Sequence, residues 1–233
     1  MKSMKKRLFI LFVFFLPFTS SAWAEYGPRN WLHSSTGALY QEVASELEVI
    51  INEAERQQIP GDLLVDKLKE GAAKRVTGTQ LVQALRTEVD RLITATTLLK
   101  KPGRRVSGDR QSLLRTTSLL LQGGIPVDTI DAVLEYASLI DKSSNRAINA
   151  LSTALRVIAI AQAPADLLRP LSECLVRSTL QDPQFSQLQS FTVRARGKQI
   201  QGEPLIKLII GSLDSGNGLA YLDREIERRS QRP

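Results

Sequence analysis

Ile125-Pro126-Val127-Asp128-Thr129-Ile130 repeats the pattern of Ile59-Pro60-Gly61-Asp62-Leu63-Leu64, and Ala163-Pro164-Ala165-Asp166-Leu167-Leu168 carries it a third time. Each copy is an apolar residue, Pro, any residue and Asp, followed by a helical run. Proline fixes φ and lacks an N–H, so it suits the first turn of a helix. Asp two residues later sets a negative charge on the positive end of the helix dipole. The apolar residue ahead of the proline can pack back on the helix as a staple.

The match runs further in the first two copies. Leu68 and Leu134 each lie eight residues after their proline, and Gln83-Ala84-Leu85 and Asn149-Ala150-Leu151 lie 23 to 25 residues after it. The unit reads as helix, short turn, longer helix. In the first unit the helices are predicted over Asp62–Lys74 and Gln80–Leu99, the second capped by Thr77-Gly78-Thr79. In the second unit they are predicted over Asp128–Asp141 and Asn145–Gln162. This last helix is apolar nearly all round, from Ala147 and Ile148 to Ile160 and Ala161. Such a helix is surrounded by protein, so it is expected at the centre of the fold.

The spacing is irregular. The second and third prolines are 38 residues apart and the first two are 66 apart. The excess holds an extra helix, expected over Asp109–Gln122 and ended by Gly123-Gly124. The third copy is degraded, with Pro170 inside its first helix and Asp182-Pro183 opening the next. A degraded last copy is typical of a solenoid end. Ahead of the first copy, Leu39, Val43, Leu47, Ile51 and Ala54 define one face of a helix over Thr36–Gln57. After the last, helices are expected over Glu203–Leu213 and Leu219–Arg229. Before these two helices, Phe191, Val193 and Ala195 alternate with polar residues within 187–201, which fits an edge strand, although helix is expected beside so many helices. The fold class is therefore all-α, with irregular helical-hairpin repeats packed as a bundle or short solenoid over residues 36–230.

Pro60-Gly61-Asp62-Leu63-Leu64 with Glu70-Gly71-Ala72-Ala73-Lys74-Arg75-Val76 resembles the hairpin repeat of certain exported bacterial proteins of unknown function. The likeness covers about 100 residues in two or three imperfect copies. It implies helical hairpins and export, and brings no reaction, ligand or active-site residue with it.

Export is also written in the first 24 residues. Lys2, Lys5, Lys6 and Arg7 precede an apolar run from Leu8 to Phe18, and Ala22-Trp23-Ala24 gives an A-x-A cleavage site before Glu25. That order is a secretory signal peptide. The run of eleven is about half the roughly 20 residues a membrane-spanning helix needs. The mature chain is expected in the periplasm or secreted, and not as a transmembrane protein. An N-terminal arm is expected over 25–35.

Without the signal, the charge is mild. The chain has 31 basic and 24 acidic residues; four of the basic ones lie in the first 24, which leaves 27 against 24, a net of +3. That does not argue for nucleic acid. Seven aromatics remain, so the core must be Leu, Ile, Val and Ala, a composition that suits helices.

Candidate sites are few. From Lys100 to Arg115 there are six basic residues and one acid, Asp109. Lys100, Lys101, Arg104, Arg105 and Arg110 are the candidates for an anionic surface of lipid or wall polymer; a solvated loop is the plainer alternative. No aromatics interleave to stack bases, so no nucleic acid is expected. Tyr26 and Trp31 in the arm are candidate anchors for a partner, unless Trp31 packs on a helix. His33, the lone histidine, has no ligand at metal spacing, and Asp214-Ser215-Gly216-Asn217-Gly218 lacks the ligands of a calcium loop. Cys174, the lone cysteine, reads as a small buried residue rather than a reactive thiol. No motif of hydrolases, metalloproteases or phosphate-binding loops occurs, so no catalytic residue, metal or cofactor is assigned. The expected function is a non-enzymatic envelope component that binds an unidentified macromolecule, a protein first. The alternatives are the anionic-surface binder and an unrecognised hydrolase.

Overall fold

The computed structural model of the chain describes residues 27–230, save the side chains of the last two. The expected signal peptide and Tyr26 lie outside the described residues. Within them there are eleven α-helices and no strand. In order they are α1 (Pro28–Leu32), α2 (Ala44–Arg56), α3 (Gly61–Ala73), α4 (Gly78–Leu99), α5 (Arg110–Gln122), α6 (Val127–Leu139), α7 (Ser144–Ala161), α8 (Leu168–Arg177), α9 (Phe185–Gly197), α10 (Gly202–Asp214) and α11 (Gly218–Ser230). Short 3₁₀ turns lie at Gly37–Val43, Ala165–Leu167 and Asp182–Gln184. No described helix is long and apolar enough to cross a membrane.

The three Pro-x-Asp corners share one backbone geometry. Pro60, Pro126 and Pro164 all have φ near −58° and ψ of 127°, 140° and 142°. They occupy the capping position one residue before the helix rather than its first turn. The residue two places earlier is left-handed each time: Gln58 (φ 59°), Gly124 (φ 82°) and Gln162 (φ 55°). The apolar residue between donates its N–H back to the ending helix, as Ile59 to Ala54, Ile125 to Leu120 and Ala163 to Ile158. This closure satisfies carbonyls that a helix end would otherwise leave orphaned.

The turns inside the first two hairpins also correspond. Arg75 and Asp141 are both left-handed, and Thr77 and Ser143 both cap the following helix by accepting the N–H of the third residue on. The third unit departs from this: α8 has no left-handed residue at its end, and Ser178 is extended.

Helix α7 is central, as its composition predicts. It packs on α5, α6, α8, α9 and α10. Its exposed residues, Asn149, Arg156 and Ala159, lie on one face. The N-terminal helices α1–α4 and the C-terminal α8–α11 lie to either side, and the buried residues of all of them form one continuous core.

Two local expectations are corrected, and over 187–201 the expected helix is found in place of the edge strand. The helix over 36–57 is broken at Tyr40 (φ −116°, ψ 22°) into a 3₁₀ turn and α2. The kink buries Tyr40 and leaves Leu39 77% exposed, so Leu39 is not on the core face. Residues 185–197 are helical with no edge strand; Phe185, Leu188, Phe191, Thr192 and Ala195 recur at helical spacing and are buried, while Val193 faces outward. The described part of the arm is not an arm. Trp31 and Leu32 on α1 are buried in the core, and the Trp31 ring lies 6.0 Å from that of Tyr40. Gly37 makes this corner possible: a Cβ there would stand 2.2 Å from the Trp31 carbonyl oxygen.

Candidate functional site

The basic segment between α4 and α5 is a strap laid across the α6–α7 hairpin. Asp131 on α6 anchors it. Lys101 Nζ donates to both carboxylate oxygens of Asp131 at 2.8 Å. Arg104 donates to Asp131 Oδ1 at 2.6 Å and also to the carbonyls of Asp131 and Leu98. Burial pushes the Asp131 carboxyl up, but these hydrogen bonds and the two positive charges outweigh it and hold the group below the usual carboxylate range. Further on, Arg105 pairs with Asp141 at 2.6 Å, and its carbonyl accepts the Ser144 N–H at 2.8 Å. Ser138 Oγ donates to the Gly103 carbonyl at 2.7 Å, and Asn145 accepts the Ser107 N–H. Arg115, on α5, pairs back to Asp66 on α3.

The five residues predicted to meet an anionic surface therefore separate. Arg104 has only 4% of its side chain exposed and is withdrawn from any surface. Lys101 and Arg105 are committed to carboxylates of the same chain. Lys100 makes one weak bond to Gln58, and neither it nor Arg110 has a carboxylate partner among the described residues. Trp31, the predicted partner anchor, is only 4% exposed and serves the core instead. Tyr26 lies outside the described residues.

What α1 does build is a groove. Asn30 to Thr36 curve past the last turn of α3 and enclose an open cleft of about 930 Å³ with Lys69, Ala72 and Ala73. Its apolar lining is Trp31, Ala72 and Ala73. Its polar lining is Asn30, His33, the hydroxyl-bearing 34–36 turn and Lys69. Ser34 is spent on the turn itself: its Oγ donates to the Trp31 carbonyl at 2.6 Å and accepts the Gly37 N–H at 3.1 Å. Among the described residues, the lining places one imidazole and one ammonium beside these apolar side chains. Only Trp31 and His33 were visible in the sequence as candidates; Lys69, Ala72 and Ala73 carry no local signal.

Two other polar centres are structural. Arg146, from the first turn of α7, reaches the end of α8. Its Nε donates to the Val176 carbonyl at 2.8 Å, and one terminal nitrogen donates to the Leu175 and Ser178 carbonyls at 3.0 and 2.7 Å. The other bonds Asp182 at 2.6 Å, and the guanidinium lies 5.1 Å from the centre of the Phe185 ring. It replaces the left-handed closure that α8 lacks. Cys174 is fully buried and its Sγ lies 3.3 Å from Asp214 Oδ1, the carboxylate that Arg177 holds through Nε and one terminal nitrogen. Burial, then the hydrogen bond to Asp214 and its negative charge, push the thiol up to about 12, so it is held as a donor and not as a nucleophilic thiolate.

Among the described residues no group of three or more His, Cys, Asp or Glu side chains is placed to hold a metal ion. Asp214 is paired with Arg177. Comparison of the chain with family models, with curated proteins and with solved structures found no match, so its function rests on its own residues.

Proposed function

We propose that this chain is an exported, non-enzymatic helical binding protein of the cell envelope, and that it holds a protein partner in the groove between the 30–36 turn and the end of α3. One observation carries the reading: the open cleft there is lined by Trp31, Ala72 and Ala73 beside the polar Asn30, His33 and Lys69, the mixed lining of a recognition groove. The order of charges, apolar run and A-x-A site in residues 1–24 supports export. The anionic-surface reading loses most of its cations to Asp131 and Asp141.

The test is site-specific photo-crosslinking in the host envelope. A crosslinking residue at Ala73 should yield a defined adduct with one protein, and the same residue at Arg156, exposed on α7, should not. An adduct that survives high salt and disappears with Ala73→Arg outside the crosslinking position, for instance with the probe at His33, is the expected result. Equal adducts from both positions, or none from the groove, would refute the groove as the binding site. The N-terminal residue of the exported chain, read by mass spectrometry, should be Glu25; an intact Met1 in the envelope fraction would refute the cleavage.

A further inference from the structure

Asn217-Gly218, in the turn between α10 and α11, is the one Asn-Gly pair in the sequence. A glycine after asparagine leaves its peptide nitrogen open, because no Cβ shields it. That nitrogen can attack the asparagine side-chain carbonyl, provided that the fold holds neither group.

The fold holds the other four asparagines. Asn30 is followed by Trp31, whose N–H donates to the Gly27 carbonyl at 3.1 Å. Asn52 lies inside α2 and accepts from Arg29 at 2.6 Å. Asn145 accepts the Ser107 N–H at 2.8 Å, and the next N–H, that of Arg146, donates to Ser143 Oγ at 3.2 Å. Asn149 lies inside α7 and donates to Asp182 at 3.1 Å. Asn217 differs from all four. It is exposed, and its side-chain amide has no hydrogen bond among the described residues. Gly218 opens α11, so its N–H has no acceptor within the helix. It has none outside the helix either, among the described residues. A Cβ on Gly218 would meet no atom within 4 Å, so the space around the pair is open.

We propose that Asn217 is a site of spontaneous deamidation, and that its isoaspartyl product loosens α11. The Gly218 nitrogen loses its proton to water and bonds to Asn217 Cγ. The bond from Cγ to the side-chain nitrogen breaks, ammonia leaves, and a succinimide ring closes. Water then opens the ring at either carbonyl. The net change consumes one water, releases one ammonia and involves no oxidation or reduction. Opening one way gives aspartate, with the backbone unchanged and a carboxylate where the dipole of α11 favours it. Opening the other way gives isoaspartate, whose main chain runs through Cβ and Cγ and is one atom longer. The extra atom falls between two hydrogen bonds made by Ser212. Its carbonyl accepts the Asn217 N–H at 3.1 Å, and its Oγ donates to the Gly218 carbonyl at 3.3 Å. The longer link pulls these two anchors apart at the point where α11 begins. Beyond it, α11 buries Leu222 and Ile226 and packs on α9 and α10, so a shifted start is felt along the helix. This inference does not rest on the groove at Ala73.

The test is peptide mapping by mass spectrometry of the purified chain, kept folded in mildly alkaline buffer for several weeks. The expected result is conversion of Asn217 to aspartate and isoaspartate, with Asn30, Asn52, Asn145 and Asn149 intact. Gly218→Ala should abolish the conversion over the same period. Gly218 is left-handed (φ 65°), so Asn217→Gln, which cannot close the same ring, serves as a second variant that leaves the glycine in place. Hydrogen exchange of the isoaspartyl form should be faster than that of the fresh chain across 218–230 and unchanged in α3–α7; the Asn217→Gln chain, aged alike, should show no such change. An intact Asn217, another asparagine converting as fast, or undiminished conversion in Gly218→Ala would overturn the site. Unchanged exchange of α11 in the isoaspartyl form would overturn its loosening.

Discussion

Replacing Arg146 by Ala should be among the most damaging single changes in this protein. The guanidinium satisfies three carbonyls at the end of α8, at Leu175, Val176 and Ser178, and also pairs with Asp182. It is largely buried, with 13% of the side chain exposed. Hydrogen bonds to a charged group contribute about 1.5–3 kcal/mol each, but bonds from one group do not add. Asp182 is one-third exposed, so its pair is worth about 1 kcal/mol or less. The main loss is that the α8 carbonyls become buried acceptors without a donor, and Phe185 loses the cation stacked on it. Together these place the cost at about 3–5 kcal/mol. For a chain of this length that lowers Tm by roughly 6–20 °C. Arg146→Lys keeps the charge but cannot span the carbonyls and Asp182 together, and should recover less than half of the loss. Urea unfolding followed by circular dichroism at 222 nm measures this, with an unchanged slope as the check that both states are comparable. A loss below about 1 kcal/mol for Arg146→Ala would refute the reasoning, since it would mean that water or the backbone satisfies α8 without the side chain.

Other outcomes follow from the same structure. Asp131 is held below its ordinary value of 3.8, so it stabilises the fold above that pH and loses this contribution as pH falls through its lower folded value. Asp131→Asn should therefore be clearly less stable than wild type at neutral pH, and the gap in urea midpoint should narrow below about pH 3.8; a gap independent of pH would refute the strap's anchoring by the ionised carboxylate. Cys174 should resist iodoacetamide at pH 8 in the folded chain and react once urea unfolds it; rapid labelling of the native protein would contradict its burial against Asp214. Arg75 is exposed and left-handed, so Arg75→Gly should raise stability by about 0.5–1 kcal/mol in thermal melts, and a fall would show that its backbone is not strained. Gly37→Ala pushes a methyl into the Trp31 carbonyl and should cost about 2 kcal/mol or more, with a shift in tryptophan fluorescence; a neutral effect would mean that α1 is not packed as described.

The amino-acid sequence by itself determined most of the helices, their Pro-x-Asp corners and the identity of the central one. Periodicity and Pro-x-Asp are local signals. A proline, a capping Thr or Ser and a run such as Ala147 to Ala161 act through the backbone within a few residues, so they can be read without knowing the fold. What only the tertiary structure decided is the fate of the polar and aromatic residues that looked functional. The cations of 101–105 look free in sequence because their carboxylates lie 27 to 36 residues away, on another hairpin. Arg146 gives no signal at all, since its carbonyl partners lie some 30 residues on, at the end of a helix that must dock before it needs them. Trp31 reads as an exposed anchor until the Tyr40 kink folds it inward, and that kink in turn exposes Leu39 against the helical pattern. The groove at Ala73 exists because the 30–36 turn lies against the last turn of α3. Local chemistry sets which residues form a helix. Long-range packing sets which side chains the protein uses on itself and which remain for a partner.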